Sequence, residues 1–247
     1  MAEHLIYNKL GVTIKIPNDA SSADWFKTWY NNWETETFRT VQKYIEPTKY
    51  FVDIGPWNGA ISMFAGKLCR GVICIEADVD SVKELKKNLE YNGISEHFIH
   101  NSAIYNENTT VKFGTNQYHQ GWNKLNMSTS QIQKDNLPSV ISYDIETITL
   151  KDLLEKYPKE TLGLVKVDIE AGEEYILKDL VEVANIVPVL LSLHCTWWKN
   201  QENIQLLVNM VRENGLHVYD YFENKVEIDK LQGFIQRNPF GSIVLMK

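Results

Sequence analysis

Cysteine is scarce: Cys69, Cys74 and Cys195 are the three in 247 residues, and no two of them form a C-x-x-C pair. That excludes a disulfide framework or a zinc knuckle as the organiser of the chain and leaves three structural thiols. Long apolar runs are missing as well. Stretches such as Val187-Pro188-Val189-Leu190-Leu191 fall far short of the roughly 20 residues that cross a bilayer. The start, Met1-Ala2-Glu3-His4, has neither the basic nor the apolar region of a secretory signal. A cytoplasmic protein without a membrane span is expected. Positive charge is in deficit, with 25 Lys and Arg against 32 Asp and Glu for a net charge of -7. Nonspecific binding of nucleic acid, which needs clustered cations to displace counterions, is therefore not expected. Also absent are the glycine patterns that bare several amides to phosphate, G-x-G-x-x-G and G-x-x-x-x-G-K-[ST], which disfavours dinucleotides and a dehydrogenase.

What is present suffices for a substantial core: 44% of the residues are hydrophobic and 11% aromatic, consistent with one domain carrying additions. A strand-like opening runs from Ile6 to Ile16. Residues 22 to 44 have helical spacing, with Trp25, Trp29 and Trp33 on one face, either packed on the core or serving as a substrate lid. Together residues 1 to 45 read as an N-terminal strand and aromatic helical cap on a domain spanning 46 to 247. From Tyr50 apolar strands alternate with amphipathic helices: strands at 50–54, 72–76, 97–101, 163–168 and 187–193, helices at 59–68, 79–92, 149–157, 173–180 and 200–214. Two last strands are expected at 216–222 and 241–246. This alternation is the α/β signature of a mostly parallel sheet. Residues 114 to 143 interrupt it as a polar, irregular excursion that includes Gln117, His119, Gln120, Trp122, Asn123 and Ser128, and a loop of that length is commonly functional.

Within this frame Tyr50-Phe51-Val52-Asp53-Ile54-Gly55-Pro56-Trp57-Asn58-Gly59 reads as a buried strand, a glycine turn and the opening of a helix. About 20 residues beyond the turn a second apolar strand ends in Glu76, the position from which a carboxylate grips ribose hydroxyls in doubly wound folds. The pattern is Asp53-x-Gly55-x-x-x-Gly59, with a carboxylate where phosphate would be repelled. A cationic, phosphate-free nucleoside fits, and S-adenosylmethionine, with its ribose, amino group and sulfonium, makes Asp53 and Glu76 a consistent pair. The competing reading is an ordinary β-turn-α unit whose glycines serve packing alone.

A second constellation follows in Leu164-Val165-Lys166-Val167-Asp168-Ile169-Glu170-Ala171-Gly172-Glu173. Ligands of open α/β sheets bind outside the carboxyl ends of the strands, so Asp168 and Glu170 should face the same crevice as Gly55 and Glu76, with His194 delivered by the next strand. A carboxylate or imidazole there can take the proton of a hydroxyl that attacks the sulfonium methyl, and Lys166 can pair with Asp168 or acidify the acceptor. Much of the acceleration then comes from positioning. Glu173 is equally well explained as an acid favoured at a helix N-terminus. The spacing of Asp168, Glu170 and His194 matches no H-x-x-x-H or EF-hand pattern, so no metal site is expected.

These residues resemble the FkbM-type class I methyltransferases. Val52-Asp53-Ile54-Gly55 to Gly59 is similar to that family's V-D-x-G-A-N-x-G, Glu76-Ala77-Asp78 to its acidic turn, and Val165 to Glu173 to its I-K-x-D-x-E-G-x-E. Trp33-Glu34-Thr35-Glu36-Thr37 is similar to its W-E-P-E-T, Leu85, Asn88 and Asn92 to its L-x-x-N-x-x-x-N helix, and Ser102-Ala103 to its post-strand alanine. The chain departs from the pattern at Pro56-Trp57, which stiffens the loop and adds an indole, and at Ala171-Gly172, a swap expected to shift the turn after Glu170. The resemblance, over residues 33 to 194, implies a Rossmann-like, seven-stranded, mostly parallel sheet with helices on both faces and the last strand antiparallel. It implies O-methylation from S-adenosyl-L-methionine, often of a sugar, glycan or other small-molecule hydroxyl. Glu34, Asp53, Gly55, Pro56, Asn58, Gly59, Glu76, Ala77, Ser102 and Ala103 would then line the cofactor, and Asp168, Glu170, His194 and Lys166 the reacting centre. A natural-product or nitrogen acceptor and a noncatalytic cofactor-binding module are the alternatives.

Overall fold

The computed structural model describes residues 4–116, 131–133 and 139–247. The chain begins with a hairpin, β1 (His4–Lys9) and β2 (Val12–Pro17), followed by α1 (Ala23–Thr28) and α2 (Thr35–Tyr44). Then come β3 (Tyr50–Ile54), α3 (Ala60–Gly66), β4 (Gly71–Ile75), α4 (Val79–Tyr91), β5 (His97–His100) and β6 (Ala103–Ile104). After β7 (Thr110–Asn116), β8 (Gln131–Gln133) and β9 (Ser139–Ile148), α5 (Leu150–Leu154) leads back to the main sheet. The remainder is β10 (Leu162–Val167), α6 (Leu177–Ala184), β11 (Val189–Ser192), α7 (Glu202–Glu213), β12 (His217–Asp220), α8 (Ile228–Arg237) and β13 (Ser242–Met246).

Seven strands form the central sheet in the order β12-β13-β11-β10-β3-β4-β5. Neighbours pair in parallel from β5 to β11, and β13 runs antiparallel between β11 and β12. This is the Rossmann-like sheet expected from the sequence. From β3 the chain winds outwards to β4 and β5, then returns to place β10 on the other side of β3. The boundary between β3 and β10 is thus the topological switch point, where α/β sheets open a crevice at their carboxyl ends.

Side-chain alternation gives each face its own core. Val52, Ile54, Val165 and Val167 point to the face covered by α5, α6, α7 and α8. Phe51, Leu164, Leu190 and Val244 point to the face covered by the hairpin and α1 to α4. Phe38, Phe51 and Phe64 are fully buried there, each contributing roughly 1.5–3 kcal/mol by leaving water. Helix α4 is fixed at its start by Asp78, which accepts a hydrogen bond from the Ser81 amide at 2.7 Å. Near its end, Asn92 exchanges two hydrogen bonds with the Lys15 backbone, at 2.8 and 2.7 Å, and so ties the hairpin to the helix.

Two expectations are corrected. The single helical segment over 22 to 44 is two helices separated by a turn, so Trp29 leaves the stripe and is 48% exposed. The expected irregular excursion contains strand: β7 and β9 pair antiparallel, and with β6 and β8 they form a four-stranded sheet. Val111, Phe113, Tyr143 and Ile145 alternate onto a small apolar cluster with Ala77 and Ala103, a period-2 signal that the surrounding polar residues obscure. Gln117, His119, Gln120, Trp122, Asn123 and Ser128 lie outside the described residues. Among the described residues no helix is long and apolar enough to cross a membrane.

Candidate functional site

The site is assembled where the carboxyl ends of β3, β4, β10 and β11 meet. Gly55 leaves β3 with φ +77, and a Cβ placed on it would stand 1.9 Å from the carbonyl oxygen of Asp168. Only glycine lets the loop pass this close to β10. Trp57 follows with φ 51, and its amide donates to Glu76 Oε2 at 2.9 Å while the Asp78 amide donates to Oε1 at 2.8 Å. Glu76 thereby joins the ends of β3 and β4, with one lone pair on each oxygen left over. Asn101 steadies the same turn by donating from Nδ2 to the carbonyls of Glu76 and Ala77, at 2.9 and 3.0 Å. Gly55, Glu76, Ala77, Ser102, Ala103 and Phe113 line one crevice.

On the other side of Gly55 lies a cavity of about 200 Å³, lined by Trp25, Trp33, Glu34, Asp53, Pro56 and Trp57 and by the side chains of the second constellation, Lys166, Asp168, Glu170 and His194. The three indoles meet edge to face, Trp25 at 5.0 Å from Trp33 and 4.8 Å from Trp57. Trp25 and Trp33 pack on the core, as one of the two expectations had it, and they also wall this cavity.

The charged centre follows from strand register. Asp53 and Lys166 are partners across the parallel β3–β10 pair and so point to the same face. Lys166, 2% exposed, lies 3.4 Å from Asp53 Oδ1 and 3.2 Å from Asp168 Oδ2. Ser62 donates to the other oxygen of Asp53 at 2.6 Å. Beyond Asp168, His194 Nε2 stands 3.6 Å from both Asp168 Oδ1 and Glu170 Oε2. His194 Nδ1 is 2.9 Å from Oε1 of the fully buried Glu173, which also accepts from the Ile169 amide at 3.0 Å. The turn that presents these groups is strained: Glu170 and Ala171 are both left-handed, with φ 53 and 74. Ala171 adopts there the conformation that glycine takes at less cost.

Burial and neighbouring charge shift these groups in different directions. Burial works against the Lys166 ammonium, but Asp168, Asp53 and Glu34 more than offset it and hold its pKa above the ordinary value. Burial likewise opposes ionisation of Asp168, yet Lys166 and His194 keep it below the usual carboxylate range. Burial raises Glu170 to about 8 against the pull of His194. It raises Glu34 to about 7, helped by Asp168 and opposed by Lys166. Burial alone would depress His194, but the bond to Glu173 and the charges of Glu173, Asp168 and Glu170 bring it up to about 9. Glu76 is raised by burial to about 7.

A wider cavity of about 650 Å³ opens from Asp168 and His194 towards solvent, lined by Glu34, Ser192, Tyr221 and Phe240 among others. Trp197 stacks on His194 with ring centroids 5.5 Å apart and planes 8° from parallel, and Phe240 meets Trp197 edge-on at 5.1 Å.

Of the residues expected from sequence, the structure gathers Glu34, Asp53, Gly55, Pro56, Glu76, Ala77, Ser102, Ala103, Lys166, Asp168, Glu170 and His194 around these connected cavities. Asn58 and Gly59 line none of them. Asn58 is buried, accepts from the Ala60 amide at 3.1 Å through Oδ1, and offers its carbonyl to Asn88 Nδ2 at 2.9 Å. Gly59, with φ +85, lets α3 pass Leu85, whose Cδ1 would be 2.5 Å from an added Cβ. Sequence reasoning passed over Phe113, Tyr221 and Phe240, which no local motif marks. It left Glu173 between a helix-terminal acid and a site residue; the structure places it in a first helical turn and against His194.

No family model matches the chain. Over 131 residues it is 28% identical to a ribosomal protein L11 methyltransferase of Caldicellulosiruptor bescii, a match covering 51% of this chain and 42% of that protein. The chain thus matches less than half the length of that relative. Among solved structures it is similar to precorrin-6y C5,15-methyltransferase from Geobacter metallireducens, with 12% identity, 87% and 90% of the two chains covered, and a TM-score of 0.48. It is also similar to TYW2 of Pyrococcus horikoshii in complex with MeSAdo, with 12% identity, 99% and 70% covered, and a TM-score of 0.46. Likenesses of this degree leave the chemistry to be argued from the site itself.

Proposed function

We propose that this chain is an S-adenosylmethionine-dependent methyltransferase of the FkbM type that methylates a hydroxyl, on a sugar, glycan or similar small molecule. The observation that carries the reading is the switch-point crevice. A carboxylate at the end of β4 faces it, a glycine loop without a phosphate cradle enters it, and a cluster of proton-accepting groups sits across it. Glu76 accepts the ribose hydroxyls on the lone pairs that Trp57 and Asp78 leave over. Ala77, Ser102, Ala103 and Phe113 flank the base. The methionyl end extends towards Glu34 and Asp53, and the three indoles offer faces to the sulfonium.

The reaction requires an acceptor oxygen to approach the methyl carbon in line with the C–S bond. The C–O bond forms as the C–S bond breaks, giving a methyl ether and S-adenosylhomocysteine, and the hydroxyl proton leaves to a base. His194, protonated at neutral pH when its pKa is about 9, orients rather than accepts. Glu170, raised to about 8, also holds its proton at neutral pH, which leaves the hydroxyl proton to Asp168, kept ionised by Lys166 and His194 and lining the same cavity. Tyr221, Phe240 and Ser192 give the outer cavity the mixture of aromatic faces and hydroxyls that suits a saccharide.

Calorimetric titration with S-adenosylmethionine and S-adenosylhomocysteine tests the cofactor. Micromolar binding by the wild type that disappears in Glu76→Ala is expected, and no binding by the folded wild type overturns the reading. For the chemistry, Asp168→Asn should retain cofactor affinity and lose turnover with a saccharide acceptor.

A further inference from the structure

The spacing of Asp168, Glu170 and His194 along the chain gave no reason to expect a metal, yet the fold brings one ligand atom of each within 4.8 Å of the others. We infer that Asp168, Glu170 and His194 hold a divalent first-row cation that binds and acidifies the acceptor.

Several features set this group apart from a chance gathering of acids. The donors are mixed, two carboxylates and an imidazole, the kind of set that binds manganese, iron or zinc. They come from two different β-strand ends and are fixed from behind. Fully buried Glu173 engages His194 Nδ1 at 2.9 Å and so turns Nε2 towards the carboxylates. A histidine ligand oriented by a carboxylate on its other nitrogen is the usual support of a metal site. Asp168 is fixed in the same way, its Oδ2 beside Lys166 at 3.2 Å while Oδ1 faces His194.

The imidazole nitrogen is spaced from the two carboxylates for a shared ion rather than for a direct bond. His194 Nε2 is 3.6 Å from each carboxylate oxygen, beyond hydrogen-bond reach. Ligands bonded at about 2.0–2.2 Å in a tetrahedral shell stand roughly 3.3–3.6 Å apart. Among the described residues, Glu170 Oε2 is buried with no hydrogen-bond partner, as is Oε2 of Glu173. Charge points the same way. Asp53 and Asp168 share Lys166, while Asp168, Glu170 and Glu173 surround His194, and buried carboxylates are stable when paired or bound to metal.

Three protein ligands leave positions open on the ion towards the cavity of about 650 Å³. Resting on the methyltransferase reading, this selects acceptors with two adjacent oxygen donors, a vicinal diol above all, which chelate where a lone hydroxyl would not. The ion lowers the pKa of the coordinated hydroxyl, its proton passes to water, and the alkoxide attacks the methyl carbon as the C–S bond breaks. Binding of the ion displaces the protons of His194 Nε2 and Glu170 to water; Asp168 and Glu170 then act as ligands, and the ion takes over the acidifying role.

The test is titration of EDTA-treated protein with Mn²⁺, followed by calorimetry and by the loss of free-Mn²⁺ electron paramagnetic resonance signal. One ion per chain in the micromolar range is expected, with affinity abolished in His194→Ala and at least tenfold weaker in Glu170→Gln. Glu173→Gln, which touches no ion, should weaken binding tenfold to a hundredfold. No stoichiometric Mn²⁺ binding by the folded wild type overturns the inference, and so does unchanged affinity in whichever of His194→Ala and Glu170→Gln melts like the wild type. S-adenosylhomocysteine titrated in EDTA separates this outcome from the proposed function. Nucleoside binding without Mn²⁺ binding removes the ion alone, and Mn²⁺ binding without nucleoside binding removes the methyltransferase.

Discussion

Replacing Gly55 by alanine inserts a methyl group into the joint between the loop after β3 and β10. Three contributions add. The left-handed backbone at φ +77 costs a Cβ-bearing residue about 1–2 kcal/mol. The new carbon would stand 1.9 Å from the Asp168 carbonyl oxygen, and backbone is what it meets, so β3 and β10 must part; forced overpacking of this kind costs roughly 1–3 kcal/mol. Parting them also strains the hydrogen bond from the Asp168 amide to the Ile54 carbonyl, now 3.0 Å, worth about 0.5–1.5 kcal/mol net. The sum is roughly 2.5–6.5 kcal/mol, a large share of a stability that is typically 5–15 kcal/mol. Gly93 supplies the control, since it has φ +68 but nothing within 4 Å of an added Cβ, so Gly93→Ala bears only the conformational cost of about 1–2 kcal/mol. Gly59→Ala falls between, because the atom it meets is the flexible end of Leu85. Urea denaturation of the three variants gives the ranking. Equal midpoints for Gly55→Ala and Gly93→Ala would refute the argument that close approach of β3 to Asp168 fixes this loop.

With Glu76 holding the ribose as proposed, cofactor affinity should depend on pH. Burial raises its carboxyl from 4.5 to about 7 in the folded protein, so its contribution to stability is full below the unfolded value and fades as pH rises through 7, by about 3 kcal/mol in all. Ribose hydroxyls donate to the ionised form, so S-adenosylhomocysteine affinity should increase between pH 6 and 8; a flat profile in the wild type, or a sloping one in Glu76→Gln, contradicts this. Lys166→Met strips the cation from Asp53 and Asp168 and should cost about 3–5 kcal/mol in chemical denaturation. The double variant Lys166→Met/Asp53→Asn should recover part of that loss, and a single-variant loss below about 1 kcal/mol would mean that the pair is solvated. Asn92→Ala removes both hydrogen bonds to Lys15, so amide exchange across β1 and β2 should accelerate while that of β3 and β10 holds. Uniform acceleration would show that the hairpin is not a separately opening unit.

Local pattern carried the reading of the main sheet. β3 has the bounds expected from its apolar run, and β4, β5, β10 and β13 each shift by a residue or so, because an apolar segment flanked by turn residues has few other ways to be buried. Helix α8 and the strands β6, β7 and β9 were not legible. The strands owe their burial to a separate small cluster built with Ala77 and Ala103, and no local run signals a partner so far away in sequence. The break between α1 and α2 was hidden for the opposite reason: aromatic spacing continues through the turn, although Trp29 faces outwards.

The sequence by itself determined which residues end the strands of an α/β sheet, and hence that Gly55, Glu76, Asp168, Glu170 and His194 meet at one rim. Periodicity and turn chemistry are local, and the rule that ligands bind at strand ends does the rest. Only the tertiary structure decided what each group does there. Parallel register set Lys166 beside Asp53, and the left-handed turn at Glu170 and Ala171 carried Glu173 back beneath His194. Packing against Ala60, Asn88 and Leu85 drew Asn58 and Gly59 away from the cavities. Distances and burial between segments far apart in the chain are fixed by how the layers pack, and they separate a ligand from a support where residue type and spacing do not.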